Sequence, residues 1–294
     1  MTSTGRRGFV VNIFLPEGDP EGLRLIEKSN WSGCGLVIPR SLFGSVKNRR
    51  ELDRAGVYIL VGETDSPLPR VYVGEGDAVR SRLESHAKQK DFWTHALVFT
   101  SKDGNLNKAH VQHLEARLVQ MAKEAKRCVL DNKETPQSPS LSEASVAEVE
   151  GFLDDMSLCL PILGCGYFER PPVAIAKTVI FKIKAKGVEA VGFETAAGFV
   201  VQARSKAVKS ETTSIHAYLK ATRKELVAQG VLGDLGDAYL FSQDYEFSSP
   251  STAAGVVLGR AANGRQEWQT EDGRTLRSVQ EADAGSSETP RRGT

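Results

Sequence analysis

Gly56-Val57-Tyr58-Ile59-Leu60-Val61 and, further on, Arg70-Val71-Tyr72-Val73-Gly74 are two short apolar runs, each with one tyrosine and a glycine at one end. β-Branched and aromatic residues dominate both, which predicts strands over residues 57–61 and 70–73. Residues 62–69 between them hold glycine, aspartate, serine and two prolines, the composition of a loop. Gly74 to Asp77 is expected to turn the chain into a helix over residues 78–88, with Asp77 as its N-cap. Residues 92–100 read as a third strand and Asp103-Gly104 as a turn. Residues 106–127 form a long helix with Val111, Leu114, Leu118 and Met121 on its apolar stripe. The expected fold class is α+β, with a small three-stranded antiparallel sheet flanked by helices.

Outward from this centre, residues 1–50 read as an N-terminal extension with a β-like run at 8–15 and a short helix at 22–29. The central domain spans 51–133. Residues 134–145 shift to threonine, proline, glutamine and serine, so 134–176 reads as a linker with a bridging helix near 146–163. A second small α+β domain is expected over 177–279. It comprises strand-like runs at 178–185, 189–195 and 198–205, a helix over 214–228 stopped by Gly230, and a strand at 238–241. A helix over 249–258 opened by Ser249-Pro250 and a hairpin on Asp272-Gly273 complete it. The tail, 280–294, is rich in glycine, serine, glutamate and arginine and is expected to be disordered.

Composition narrows the class. No stretch approaches the roughly 20 apolar residues of a membrane span, and no cleavable leader pattern opens the chain, so no membrane partner is expected. Cys34, Cys128, Cys159 and Cys165 show no C-x2-C spacing, which speaks against a zinc ribbon or disulfide framework and for reduced thiols in a cytoplasmic protein. The net charge of +1 conceals an asymmetry. Residues 40–133 hold 17 Lys and Arg against 12 Asp and Glu, a bias compatible with phosphate contacts but weak by itself.

The two tyrosine runs are followed by further chemistry-bearing residues. Arg82 lies ten residues after Tyr72 and His86 four residues later, a spacing that puts both on one helix face. Glu115 sits within Leu114-Glu115-Ala116 on the long helix, and Asn132 follows Val129-Leu130. Taken singly, the tyrosines read as strand packing, Arg82 and His86 as a solvated helix face, and Glu115 as an exposed acid. Together and in this order, Gly56-Val57-Tyr58, Tyr72-Val73-Gly74, Arg82, His86, Glu115 and Asn132 resemble the GIY-YIG nuclease family. Residues 188–268 contain Gly198-Phe199-Val200-Val201, Phe247-Ser248-Ser249-Pro250 and Gly259-Arg260-Ala261-Ala262-Asn263-Gly264, with Trp268. They are similar to an uncharacterised C-terminal domain that often accompanies such nucleases in bacteria.

The resemblance implies a metal-dependent endonuclease that hydrolyses phosphodiester bonds in nucleic acid, expected to be DNA, in repair, restriction or defence. The alternative is an inactive nucleic-acid-binding or interaction protein on the same scaffold. Tyr58, Tyr72, Arg82, His86 and Glu115 are the implied catalytic residues, with Gly56, Gly74 and Asn132 supporting them. Glu115 is the implied ligand of Mg²⁺ or Mn²⁺, hard cations that need only one or two protein carboxylates. Arg82 would clamp non-bridging phosphate oxygens. Tyr58 or Tyr72 would relay a proton, with His86 able to share that role. Gly74 would let the backbone turn tightly beneath the site. Glu75 fits less well, because an added acid near a phosphate repels it unless it helps the metal. His95 and the pair His110/His113 read as surface residues, since no third ligand at zinc spacing is visible. The helix N-terminus at Ser249, with Arg260, Asn263 and Arg265, reads either as a phosphate contact or as ordinary capping.

Overall fold

The computed structural model describes residues 8–286 and divides the chain into two compact units, Met1–Glu169 and Arg170–Thr294. Both are α+β. The expected disordered tail lies partly outside the described residues; within them, residues up to Ser286 are helical.

The first unit is built on a seven-stranded sheet. Its strands are β1 (Val11–Phe14), β2 (Arg24–Lys28), β3 (Gly33–Pro39), β4 (Gly56–Gly62), β5 (Arg70–Gly76), β6 (Trp93–Ser101) and β7 (Val129–Leu130). They lie in the order β1-β2-β3-β6-β4-β5-β7, antiparallel except for β5 and β7. β4, β5 and β6 are the three strands expected, with Tyr58 opposite Gly74 and Leu60 opposite Tyr72. The sheet is larger than expected because the first 50 residues add three strands to the other edge of β6. The apolar run of β3 pairs with β6 from Gly33↔Ser101 to Pro39↔His95. Residues 22–29, read as a helix, contain β2 instead. Its five residues are too few to show a helical stripe, and Ile26 is fully buried opposite Gly35.

Helices cover both faces, which is why β4 and β6 read as continuous apolar runs rather than alternating ones. On one face Leu36, Ile38, Tyr58, Leu60 and Val98 pack with Val79 and Leu83 of a helix over Val79–Gln89, and with Phe43 and Val46 of a short one over Phe43–Val46. These are α2 and α1 in chain order. Asp77 does not cap α2; extended Ala78 precedes it and no side chain bonds the first turn. On the other face Val57, Ile59, Val71, Val73 and Phe99 meet Leu114, Leu118 and Val119 of α3 (Lys108–Ala125). The expected bridging helix is α4 (Glu143–Cys159), and Val149, Phe152, Leu153 and Met156 place it in this same core. Glu150 of α4 accepts from Arg117 Nε at 2.7 Å and pairs with His113 Nε2 at 2.6 Å, tying α4 to α3.

The second unit has two antiparallel sheets. β8 (Phe181–Ala185), β9 (Val188–Glu194), β10 (Phe199–Val201) and β14 (Tyr245–Phe247) form one, in the order β14-β10-β9-β8. β11 (Lys206–Val208), β12 (Leu232–Asp234) and β13 (Ala238–Phe241) form the other, in the order β11-β13-β12. The run at 198–205 therefore holds a strand only at Phe199–Val201, and Arg204, with a left-handed φ of 68°, lies in the turn that leads to β11. Helices α5 (Ala217–Ala228), α6 (Pro250–Leu258), α7 (Gly264–Glu267) and α8 (Leu276–Ser286) complete the unit. Trp268 is fully buried, stacks against Phe199 at 4.5 Å and donates from Nε1 to the Pro250 carbonyl at 3.0 Å.

The N-terminus of α6 is an internal cap. Ser249 Oγ accepts from Thr252 N, Ser251 Oγ accepts from Gly264 N, Arg260 pairs with Glu267 at 2.7 Å, and Arg265 donates to Gln280. The residues read as possible phosphate contacts thus have partners within the unit.

Among the described residues no helix is long and apolar enough to cross a membrane. All four cysteines are buried and none forms a disulfide.

Arg223 of α5 is 2% exposed. It donates to the carbonyls of Val208 (2.6 Å), Lys209 (3.1 Å) and Val256, and to Glu211 (3.1 Å), joining β11 to the end of α6. Truncation leaves buried carbonyls without a donor. Arg223→Ala is expected to destabilise the second unit by about 3 kcal/mol. Denaturant unfolding of the full chain checks this, and a loss under 1 kcal/mol would count against the role.

Candidate active site

The site lies at the outer edge of β5. β7 pairs with only Arg70 and Val71, so beyond them no strand among the described residues borders β5 on the side away from β4. Asn132 takes over the ladder with its side chain: Oδ1 accepts from Val73 N at 2.9 Å and Nδ2 donates to Val73 O at 2.8 Å. By the strand's alternation the next outward backbone groups belong to Glu75. α2 rises on one side of this edge and α3 on the other.

Tyr58, Tyr72 and His86 meet on the α2 side. Tyr58 Oη lies 2.7 Å from His86 Nε2, and the Tyr72 ring stands edge-on to His86 at 5.0 Å. The Tyr58 side chain fills the space above Gly74, where an added Cβ would come within 2.3 Å of the hydroxyl. Glycine is required there for that crossing and not for a turn, since Gly74 lies inside β5. Gly56 has a similar reason, because a Cβ would stand 2.6 Å from the Phe99 carbonyl of β6.

Tyr58 is fully buried while Tyr72 is half-buried, so Tyr72 is the phenol that reaches solvent. Burial, and then the charge of Tyr72, push the Tyr58 phenol well above its ordinary range, whereas the Arg82 guanidinium pulls the other way through charge and a hydrogen bond. Arginine can only donate. Tyr58 Oη therefore accepts from Arg82 and keeps its own proton for His86 or for the neighbouring Tyr72 hydroxyl. Burial first, then the charges of Lys90 and Arg82, push His86 down to about 4. The imidazole is therefore neutral near pH 7 and able to accept a proton.

Glu115 approaches from α3. Burial and then the charge of Glu75 push its carboxyl up to about 7, against the pull of Arg82 and Lys108. Glu115 in turn raises the Tyr72 phenol, second only to burial, which places the two in one electrostatic neighbourhood. The structure thus brings together Tyr58, Tyr72, Arg82, His86 and Glu115 from four elements.

Sequence reasoning missed the charged frame around them. Lys108 Nζ bonds both oxygens of Glu75, at 2.7 and 2.8 Å. Lys90 sits over the Tyr72 ring at 4.2 Å and pairs with Asp131, which Arg70 also holds at 2.6 Å. One signal was available: Lys108 opens a helix with no acid in its first turn, where the helix dipole opposes a cation.

His110 and His113, read as surface residues, are both buried, His113 by its bonds to Ser138 and Glu150. His95 is half-buried and bonds Thr94. Among the described residues no three His, Cys, Asp or Glu side chains gather as a metal cage. The carboxylate of Glu115 is instead the kind of donor that a hard divalent ion keeping most of its waters would need.

The Glu115 carboxyl yields a test. Its ordinary value is 4.5 and the folded value is raised, so folding favours the protonated form. Its favourable contribution is complete below pH 4.5 and is lost as pH rises through 7. In chelator-containing buffer, Glu115→Gln is expected to be more stable than the parent at pH 8 by about 1 kcal/mol, a figure discounted for solvent screening. The gap should close by pH 4.5; a difference unchanged between the two pH values in denaturant melts would refute this.

Residues 181–280 match the family model of a domain of unknown function, DUF4357. The match runs from the start of β8 into α8 and contains the stretch whose sequence resembles an uncharacterised C-terminal domain. No curated protein and no solved structure matches the chain.

Proposed function

We propose that the first unit is a GIY-YIG-type endonuclease acting on nucleic acid, with DNA as the expected substrate. The observation that carries this reading is the convergence of Tyr72, Arg82, His86 and Glu115 on the open edge of β5, in the order and roles that the sequence resemblance implies. A cytoplasmic location belongs to the same reading and is supported by four buried cysteines, none in a disulfide.

Phosphodiester hydrolysis needs a deprotonated nucleophile and a counter-charge for the phosphoryl oxygens. Glu115 would hold Mg²⁺ or Mn²⁺, whose contribution there would be Lewis-acid polarisation of a phosphoryl oxygen. Arg82 is the exposed guanidinium of the group, and its fork suits two non-bridging oxygens. Tyr72 is the phenol within reach of a water at the edge. Tyr58 donates to neutral His86 across the 2.7 Å contact and so anchors the inner side of the group, while the Tyr72 phenol relays the water proton at the solvent edge. Buried Tyr58 acts as a fixed link, positioned by Gly74 beneath it. Asn132 holds Val73, between Tyr72 and Gly74, in place.

The test is cleavage of plasmid and single-stranded DNA, and of RNA, with and without Mg²⁺. Arg82→Ala and Glu115→Ala are each expected to lower the metal-dependent rate by about 100-fold or more, with folding checked by circular dichroism. Cleavage that survives both substitutions would sink the mechanism. Metal-independent binding without any cleavage would replace it with the non-cutting scaffold.

A further inference from the structure

We propose that the face of the first sheet over β1, β2 and β3 holds one unstacked nucleotide of single-stranded DNA, its base on Phe14 and its phosphate at Arg50 and Arg54. The site shares with the nuclease reading only the nucleic-acid ligand and none of the catalytic residues, so either can fail alone.

A cavity of about 410 Å³ opens on this face, within the range of small-ligand pockets. Strand pairing explains its floor. Phe14 lies opposite Leu25, and Leu25 opposite Leu36, so three apolar side chains run side by side across β1, β2 and β3. Leu25 and Leu36 belong to the core beneath α1 and α2, whereas Phe14 stands 62% exposed. Asn12 shares the face of Phe14 and lines the same cavity, with an amide that both donates and accepts. The wall is the tight helical turn Arg50–Asp53 and the Arg54 that follows it. Leu52, fully buried, pins that turn to the core.

The charges around the cavity leave two guanidiniums over. Glu51 is held by Arg49 at 2.8 Å, and Glu27 faces Lys102 at 3.8 Å. Arg54 donates Nη1 to the Ser101 carbonyl at 2.9 Å, and the rest of its fork has no partner among the described residues. Arg50 is exposed and makes no hydrogen bond or ion pair among them. Two guanidinium forks beside one space suit an anion with several acceptor oxygens, as phosphate has. The other half of the ligand follows from Phe14 and Asn12: a flat apolar ring with a polar edge. A nucleotide joins these parts, and an aromatic side chain stacks on any base. A base inside a duplex has both faces taken by its neighbours and must leave the stack to reach Phe14. The cavity therefore favours single strands. It also gives a purpose to an exposed phenylalanine on an edge strand, Val11–Phe14, that carries no charge to blunt it.

Fluorescence anisotropy of a labelled oligothymidylate of about twelve nucleotides, with the full chain in chelator-containing buffer, tests the site without any cleavage. Phe14→Ala is expected to weaken single-strand binding by about 10-fold and to leave binding of a blunt duplex unchanged, while Phe14→Tyr keeps the parent's affinity. Arg50→Gln is expected to weaken it by about 5-fold and to lower the slope of log K against log salt by about 0.7. Both side chains are exposed, so neither change threatens the fold. Single-strand binding unchanged in Phe14→Ala and Arg50→Gln, or absent in the parent, would overturn the proposal whatever the cleavage assay gives. Equal weakening of single strand and duplex by Phe14→Ala would also overturn it, since no base would then occupy the cavity. Thymidine 5′-monophosphate binding as tightly as the oligonucleotide would make the ligand a free nucleotide and remove the strand-holding role. The expected pattern without metal-dependent cleavage would leave this site standing and remove the nuclease reading.

Discussion

A strand edge left half paired is the constraint on which the site depends. β5 is hydrogen-bonded along its whole length to β4, but on its outer side β7 accompanies it for only two residues before Asn132 substitutes a side-chain amide for the next backbone. An open edge is ordinarily a hazard for uncontrolled pairing. Here polar and charged side chains from both covering helices gather beside it. Arg82 and His86 come from α2, and Lys108 and Glu115 from α3, so neither face alone contains the site.

Burial determines what those side chains can do. A neutral histidine, a protonated phenol and a carboxyl lifted to about 7 are all consequences of placing titratable groups where water is scarce. The same burial makes the arrangement costly to stability, as is usual where function needs particular protonation states. The surrounding sheet, covered on both faces and extended by β1, β2 and β3, supplies the rigid frame that tolerates it. In the second unit buried polar groups serve the opposite end. Arg223 bonds the Val208, Lys209 and Val256 carbonyls, and Ser249 and Ser251 bond Thr252 and Gly264, so these groups are spent on the fold.

Much of the central sheet was legible in the sequence because its strands are short, apolar and separated by strong turn residues. Arg82 and His86 share a face by helical spacing alone. Legibility ended where the partner was distant in the chain. β3 is as apolar as β4, yet nothing local announces that it will pair with β6 some sixty residues on. β2 misled because a five-residue strand with one buried isoleucine carries too little periodicity to distinguish it from a helical turn. His110 and His113 were read as exposed because α4, which buries His113 through Glu150, lay in what composition suggested was a linker.

By itself the sequence determined which local elements form and which residue types recur in an order resembling a nuclease family: the glycines, two tyrosines, Arg82, His86, Glu115 and Asn132. Only the tertiary structure decided that Tyr58 is internal and Tyr72 half-buried, that Gly74 makes room for a ring, and that Glu75 is held by Lys108 of α3. Periodicity reports the face on which a residue lies. Desolvation and charge pairing depend on what other segments bring to that face, and those segments are set by long-range packing.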